Sequence, residues 1–182
     1  PLPRLEWVNR AADGERGQVQ TAWQVQVFQQ RGGAPGGRCV WESGRVASAE
    51  STQVAYGGEP LLPCSRYLWR VRVWDRDGRP SPWSSTAFFE TGYLGNPWPA
   101  EWIGAPWQSE DGKVDADAAP LLRKSFVLPS EVVQARAYVT GVGYYELYLN
   151  GRKVGDDVLT PAQTDYGPRE HIVVGHPIEP RF

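Results

Sequence analysis

The stretch YLWRVRVWD, residues 67–75, decides the fold. Tyr67, Trp69, Val71 and Val73 fall on one side of a two-residue period, and Arg70, Arg72 and Trp74 on the other. Successive side chains of a β-strand point to opposite faces, so this spacing predicts a strand with one core face. The Arg70/Arg72 pair is then expected on a solvated strand face. Asp77-Gly78 follows, and Asp-Gly marks a tight turn. Working outward, TAWQVQVF (residues 21–28) repeats the pattern, with Trp23, Val25 and Val27 set against Gln24 and Gln26. CVWESGRV (residues 39–46) reads as a short strand broken at Ser43-Gly44, residues 51–56 as another, and residues 83–91 as a last strand. The glycine-rich RGGAPGGR (residues 31–38) is a loop by composition. Short strands at roughly 8–12-residue spacing, with turns between, predict an antiparallel β-sandwich of the fibronectin type III or immunoglobulin kind. It is assigned to residues 1–92.

Residues 93–101 carry Tyr93 and Trp98 and read as a short packed linker. Residues 102–182 resume an all-β pattern. In LLRKSFVL (residues 121–128) Arg123 and Ser125 alternate with Leu122, Lys124 and Phe126. In ARAYVTGVGYYELYLNG (residues 135–151) Gly141 and Gly143 interrupt an alternating run, as a bulge or bend does. Asn150-Gly151 is the sharpest hairpin signal in the chain, since both residues accept positive φ. Arg152 to Val158 supplies the return strand. The expected architecture is a second sandwich, a jelly roll, that stops before it is complete. The aromatic residues split the same way: all nine Trp lie between Trp7 and Trp107, while five of the eight Tyr follow position 137.

The chain has 182 residues, with 19 Lys and Arg against 21 Asp and Glu and a net charge of −2. That balance argues against a basic nucleic-acid arm or a polybasic membrane patch. No apolar run approaches the roughly 18 residues of a spanning helix. Gly 20, Pro 16 and Met 0 suit many strands joined by turns. A chain that starts at Pro1 and contains no Met is expected to be processed or a piece of something larger, so export stays open. Cys39 and Cys64 stand 25 positions apart; paired, they would close a loop worth about 3–4 kcal/mol, and unpaired they are two thiols on neighbouring strands.

Catalytic patterns are missing. Gly141-Val-Gly143 has Glu146 where a dinucleotide fingerprint needs its third glycine. There is no Walker loop, GxSxG elbow or HExxH. The acidic loop of residues 108–119 carries Asp111, Asp115 and Asp117 without the order of a calcium loop, and reads as solvated surface. His171 and His176 are five apart, which suits neither one helix face nor one strand face, so both are expected to be exposed. Adjacent Asp156 and Asp157 would face opposite sides of a strand and cannot flank a glycosidic bond.

Several stretches together resemble the N-terminal region of bacterial α-L-rhamnosidases, which are large multi-domain glycoside hydrolases. They are WESGRV (41–46), YLWRVRVWD with SPWS (67–75, 81–84), FETG (89–92), WIG (102–104), LLRKSF (121–126) and, above all, GVGYYELYLNGRKVGDDVLTPAQTDY (141–166). Two departures stand out: Ala162-Gln163 replaces the usual Gly-Trp, and EHIVVGHPIEPRF after Arg169 lacks the usual aromatic-rich strand. The resemblance implies a sandwich, jelly-roll modules and then a helical barrel that carries the acid and base of inverting hydrolysis. Those acids lie beyond position 182, so no catalytic residue is assigned here.

The local role expected from the resemblance is structural support for the chain's own C-terminal catalytic domain, or accessory binding of a rhamnose-containing glycan or glycoside. A binding site would pair an aromatic face with carboxylates, and sometimes with calcium. Trp107 for stacking, with Asp156, Asp157, Asp165 and Tyr166 near the Asn150-Gly151 hairpin, are the candidates. Calcium at Asp156 and Asp157 is the one metal expected; otherwise no cofactor is. Asp156 and Asp157 also suit plain turn chemistry, and Trp107 interdomain packing. Glu146 shares a strand face with Tyr144 and Tyr148, where it would contact the barrel or a substrate, or simply form a surface ion pair. A fibronectin-type scaffold or adhesion protein, or a stand-alone carbohydrate-binding protein, is the alternative.

Overall fold

The computed structural model describes residues 2–11, 14, 16–30, 36–104, 119–132, 134–161 and 174–178. Its elements are all strands: β1 (Arg4–Leu5), β2 (Ala22–Gln29), β3 (Arg38–Glu42), β4 (Val54–Ala55), β5 (Arg66–Trp74), β6 (Ala87–Glu90), β7 (Ala135–Val139), β8 (Tyr148–Leu149), β9 (Arg152–Lys153) and β10 (Val174–Ile178). The chain divides into two compact units, Pro1–Asn96 with Val133–Phe182, and Pro97–Val132.

The two long amphipathic strands pair with each other. β2 and β5 run antiparallel with Val25 opposite Val71 and Gln26 opposite Arg70, inside a four-stranded sheet ordered β3-β2-β5-β6. Their apolar faces agree with the two-residue period: Trp23, Val25, Val27, Tyr67 and Val71 are buried in one cluster. That cluster also takes in Leu5 and Val54 from the small β1-β4 sheet, and Tyr56 and Val40. Two sheets thus close on one core as in a β-sandwich. Each fully buried Val or aromatic side chain contributes roughly 1.5–3 kcal/mol of transfer free energy, which is why this face fixes the pairing register.

Local chemistry explains the breaks. β3 ends at Glu42, where Ser43 turns its hydroxyl back to accept the Val25 N–H at 2.9 Å, and pairing resumes with a mutual Trp23–Val46 bridge. After β5 the Asp75 carboxylate accepts the N–H groups of Asp77 and Arg79 at 2.9 and 2.8 Å, and Gly78 takes φ +76°. The following Pro80 and Pro82 cannot donate to a ladder. Ser81 and Ser84 take over: each backbone N–H reaches β5, and each hydroxyl accepts from Val73 or Val71 at 3.1 Å. The regular last strand is therefore shorter than the pattern of residues 83–91 suggests.

The outer face of this sheet is not the solvated face that the sequence suggests. Arg70 and Arg72 are half-buried against the Trp83 ring, 4.7 and 4.8 Å from its centroid. Their Nε groups donate to Gln26 and Gln24 at 2.8 and 2.7 Å, and both glutamines donate to Glu42. Trp83 enters from the proline-rich segment, which a single-strand pattern does not reveal.

In the same unit β7 pairs with β10, Ala137 opposite His176, and β8 with β9. Asn150 and Gly151 form the two-residue loop with φ of +48° and +77°, the geometry expected of a type I′ turn. β7 is tied to the end of β6 by an Arg136–Glu90 ion pair of which little is exposed, by the Tyr138 hydroxyl donating to the Thr91 carbonyl at 3.3 Å, and by edge-on contact of Tyr138 with Tyr93. Burial, then a hydrogen bond to Cys64, pushes the Tyr138 hydroxyl up to about 12. Cys39 and Cys64 are both free and exposed, which decides the question their spacing left open.

In the unit Pro97–Val132 no described residue lies in a strand. The alternating run at 121–128 is extended in pattern but has no ladder partner among the described residues, and a strand requires one. Leu121 and Val127 are accordingly 99% and 94% exposed.

Candidate functional site

From Gly141 to Asn150 exposure alternates without a break: Val142, Tyr144, Glu146, Tyr148 and Asn150 are exposed, and the residues between them half-buried. The alternation goes with backbone pairing at both ends of residues 145–149, a lone bridge at Tyr145 and the short strand β8 at Tyr148–Leu149. Tyr145 bridges Thr160, its N–H donating to the Thr160 carbonyl at 2.8 Å, and the Val154 N–H donates to the Leu147 carbonyl at 2.9 Å. One face turns inward with Tyr145, Leu147 and Leu149, and the other presents two phenol rings flanking a carboxylate.

That carboxylate is fixed from two sides. The Tyr148 hydroxyl donates to Glu146 Oε2, and Lys153 Nζ to Oε1, both at 2.8 Å. The hairpin register that sets Tyr148 opposite Lys153 brings the ammonium diagonally to Glu146. The Lys153 hydrogen bond, then that of Tyr148, holds the Glu146 carboxyl below its ordinary range. The same contacts raise Tyr148 and Lys153. Glu146 does form the surface ion pair, and it does so with its side chain 54% exposed.

On the inward face His176 is buried, not exposed as its spacing from His171 suggests. Its Nε2 lies 2.8 Å from the Tyr145 hydroxyl, and its Nδ1 lies 4.0 Å from Asp157 Oδ2. Burial, then the Asp157 charge, raises the Tyr145 hydroxyl. The backbone near Asp157 is turned by Gly155, at φ +75°. Asp156 and Asp157 are both exposed, and Asp157 faces His176. Among the described residues no three His, Cys, Asp or Glu side chains come together as a metal site. Trp107, Asp165 and Tyr166 lie outside the described residues, as does His171.

Of the sequence candidates, then, Glu146 stands in an ordered polar cluster, and Asp157 in a different one. Tyr148 and Lys153 complete the first, and Tyr144 shares its exposed face. The alternation around Glu146 signals the shared face of Tyr144 and Tyr148, whereas the Lys153 contact comes from the hairpin register. The Tyr145–His176 pair carries no such signal, because 31 positions separate its members.

Comparisons with known proteins match both parts of the chain. Residues 1–95 match the family model described as the Rha78A-like, N-terminal immunoglobulin domain, and residues 130–174 match the α-L-rhamnosidase N-terminal domain. An α-L-rhamnosidase of Formosa agariphila is 35% identical over 155 residues, covering 82% of this chain and 17% of the relative. One from Alteromonas sp. (strain LOR) is 33% identical over 174 residues, covering 92% and 19%. The solved α-L-rhamnosidase from Dictyoglumus thermophilum superposes with a TM-score of 0.71 at 34% identity, over 90% of this chain and 20% of that one. The chain thus spans a fifth or less of the length of these relatives. With both family models in this order on one polypeptide, the chain belongs to the α-L-rhamnosidase family, as its N-terminal region.

Proposed function

We propose that the chain is the non-catalytic N-terminal part of an enzyme that hydrolyses terminal α-L-rhamnosyl residues, and that its local task is to support a catalytic domain elsewhere in the same polypeptide. The observation that carries this reading is the pair of matches: both are to N-terminal domains, and they follow each other over residues 1–95 and 130–174. The tie between the sandwich and β7, with its Arg136–Glu90 ion pair, suits a supporting role. On this reading the acid and base of the hydrolysis lie outside these residues.

The test is an assay of the purified 182-residue chain on an aryl α-L-rhamnoside. The expected result is release of the aryl group at the rate of the protein-free blank. Release above blank that follows the protein through purification would overturn the reading. Calcium, proposed from the sequence at Asp156 and Asp157, belongs to the same experiment: thermal unfolding with calcium and with chelator is expected to differ only where such a site forms.

A further inference from the structure

We propose that the outer face of β5, at Arg70 and Arg72, is a docking surface for an extended acidic peptide segment that carries carboxylates at alternate positions. The inference rests on this face alone and not on the function proposed above. Arg38, Arg79 and Arg136 each hold a carboxylate, that of Glu59, Asp77 and Glu90 respectively. Among the described residues Arg45, Arg70 and Arg72 hold none, and aromatic rings meet them instead. Arg45 lies 5.0 Å from the Trp74 ring, Arg72 5.1 Å from Trp74 and 4.8 Å from Trp83, and Arg70 4.7 Å from Trp83 and 5.5 Å from Phe28. The carboxylate of Glu42 in the same sheet is engaged by the amides of Gln24 and Gln26. Cationic groups thus line one face of a chain whose net charge is −2. A ring stabilises a cation without cancelling its charge, so this row still attracts anions.

The two central guanidinium groups are already set for carboxylates. The register places Gln26 opposite Arg70 and Gln24 opposite Arg72. Each arginine commits its Nε–H to that glutamine, at 2.8 and 2.7 Å. The side-on fork of Nε with one Nη is thereby occupied. The end-on fork of the two Nη groups is left, and no described residue accepts from it. That fork matches both oxygens of one carboxylate. With Nε bonded and rings alongside, less side-chain freedom is lost on binding. Arg70 and Arg72 stand two positions apart on one strand face, a rise of about 6.6 Å. Carboxylates at alternate positions of an extended peptide repeat at the same distance, so one segment lying along β5 meets both arginines. Adjacent carboxylates of an extended segment point to opposite faces and do not.

The experiment is a two-dimensional NMR titration of the 182-residue chain, followed through backbone amides and arginine Nε–H signals. The probe is the blocked peptide Thr-Glu-Thr-Glu-Thr. Its controls are Thr-Glu-Glu-Thr-Thr, of equal charge, and Thr-Gln-Thr-Gln-Thr, which has none. The Nε–H signals of Arg70 and Arg72 are expected to shift together, with a Kd of about 0.3–3 mM. Both control peptides are expected to bind at least about threefold more weakly. Raising salt from about 0.02 M to about 0.2 M is expected to weaken the probe at least about threefold. Arg70→Gln and Arg72→Gln are each expected to weaken it at least about fivefold, whereas Arg79→Gln, at the turn after β5, is expected to bind as the parent does. If the glutamine variants do not fold, Arg72→Lys keeps the charge and loses the fork, and is expected to weaken binding at least about twofold. No shifts at saturating probe, shifts confined to other residues, equal affinity for either control peptide, or parental affinity in the folded Arg70 or Arg72 variants would each overturn the proposal. Tighter binding of a single-stranded oligonucleotide at the same two arginines would overturn the choice of a peptide.

Discussion

Glu146 shows how much one side chain depends on its neighbours. Its carboxyl sits below the ordinary range because Lys153, and then Tyr148, hydrogen-bond to the ionised form. A folded-state value below the unfolded one stabilises the hairpin above the unfolded value, and the gain is lost as pH falls through the folded value. Lys153→Met is therefore expected to move the Glu146 titration up toward the ordinary range, read from its carboxyl carbon by NMR. An unchanged midpoint would show that the ion pair does not form in solution. Tyr56 is the buried counterpart. Burial, then the neighbouring Tyr67 and Glu59, pushes its hydroxyl up to about 12, and the hydroxyl donates to the Glu59 carbonyl at 2.9 Å. A Tyr56→Phe variant loses that hydrogen bond, and urea unfolding is expected to show a loss of about 0.5–1.5 kcal/mol. Gly58 explains why the site admits no larger residue behind it: an added Cβ would come within 2.5 Å of the Val40 carbonyl oxygen and the Trp41 side chain.

Among the elements, β5 is the one on which the sandwich turns. Its inner face carries Tyr67 and Val71 into the core, and its outer face carries Arg70 and Arg72 against Trp83. Each cation–π contact is worth about 0.5–1 kcal/mol at such partly exposed sites. Trp83→Ala removes two of these contacts and the cover they give to β5. A loss of about 2 kcal/mol in urea unfolding is the expected outcome. A loss as small as that of an ordinary surface substitution would mean that the ladder follows the sheet and does not support it. The inward set Trp23, Val25, Val27, Tyr67 and Val71 was legible in the sequence, because alternation is a local, two-residue property, although Trp74 on the opposite side is buried as well. The partner of the arginines was not legible, because Trp83 reaches them only through a turn and two prolines.

At the scale of the whole molecule, the sandwich and the strands after residue 133 are coupled through a few groups at the end of β6. Glu90→Ala leaves Arg136 half-buried without its carboxylate, and about 1–3 kcal/mol is the expected cost in chemical unfolding. Hydrogen exchange is expected to show β7 amides losing more protection than β2 amides; equal losses would mean that the tie does not set the stability of β7. Composition, period and turn residues by themselves determined the all-β class, the core face of β2 and β5, the Asp-Gly and Asn-Gly turns, and Glu146 on a face with two tyrosines. These are properties of neighbours in the chain. Only the tertiary structure decided that His176 is buried against Tyr145, that both cysteines are free, that Lys153 holds Glu146, and that the run at 121–128 pairs with no described strand. The reason is physical: period and propensity state which way a side chain faces, while its partner is fixed by chain segments brought together from far apart, at an entropic cost that only the folded core offsets.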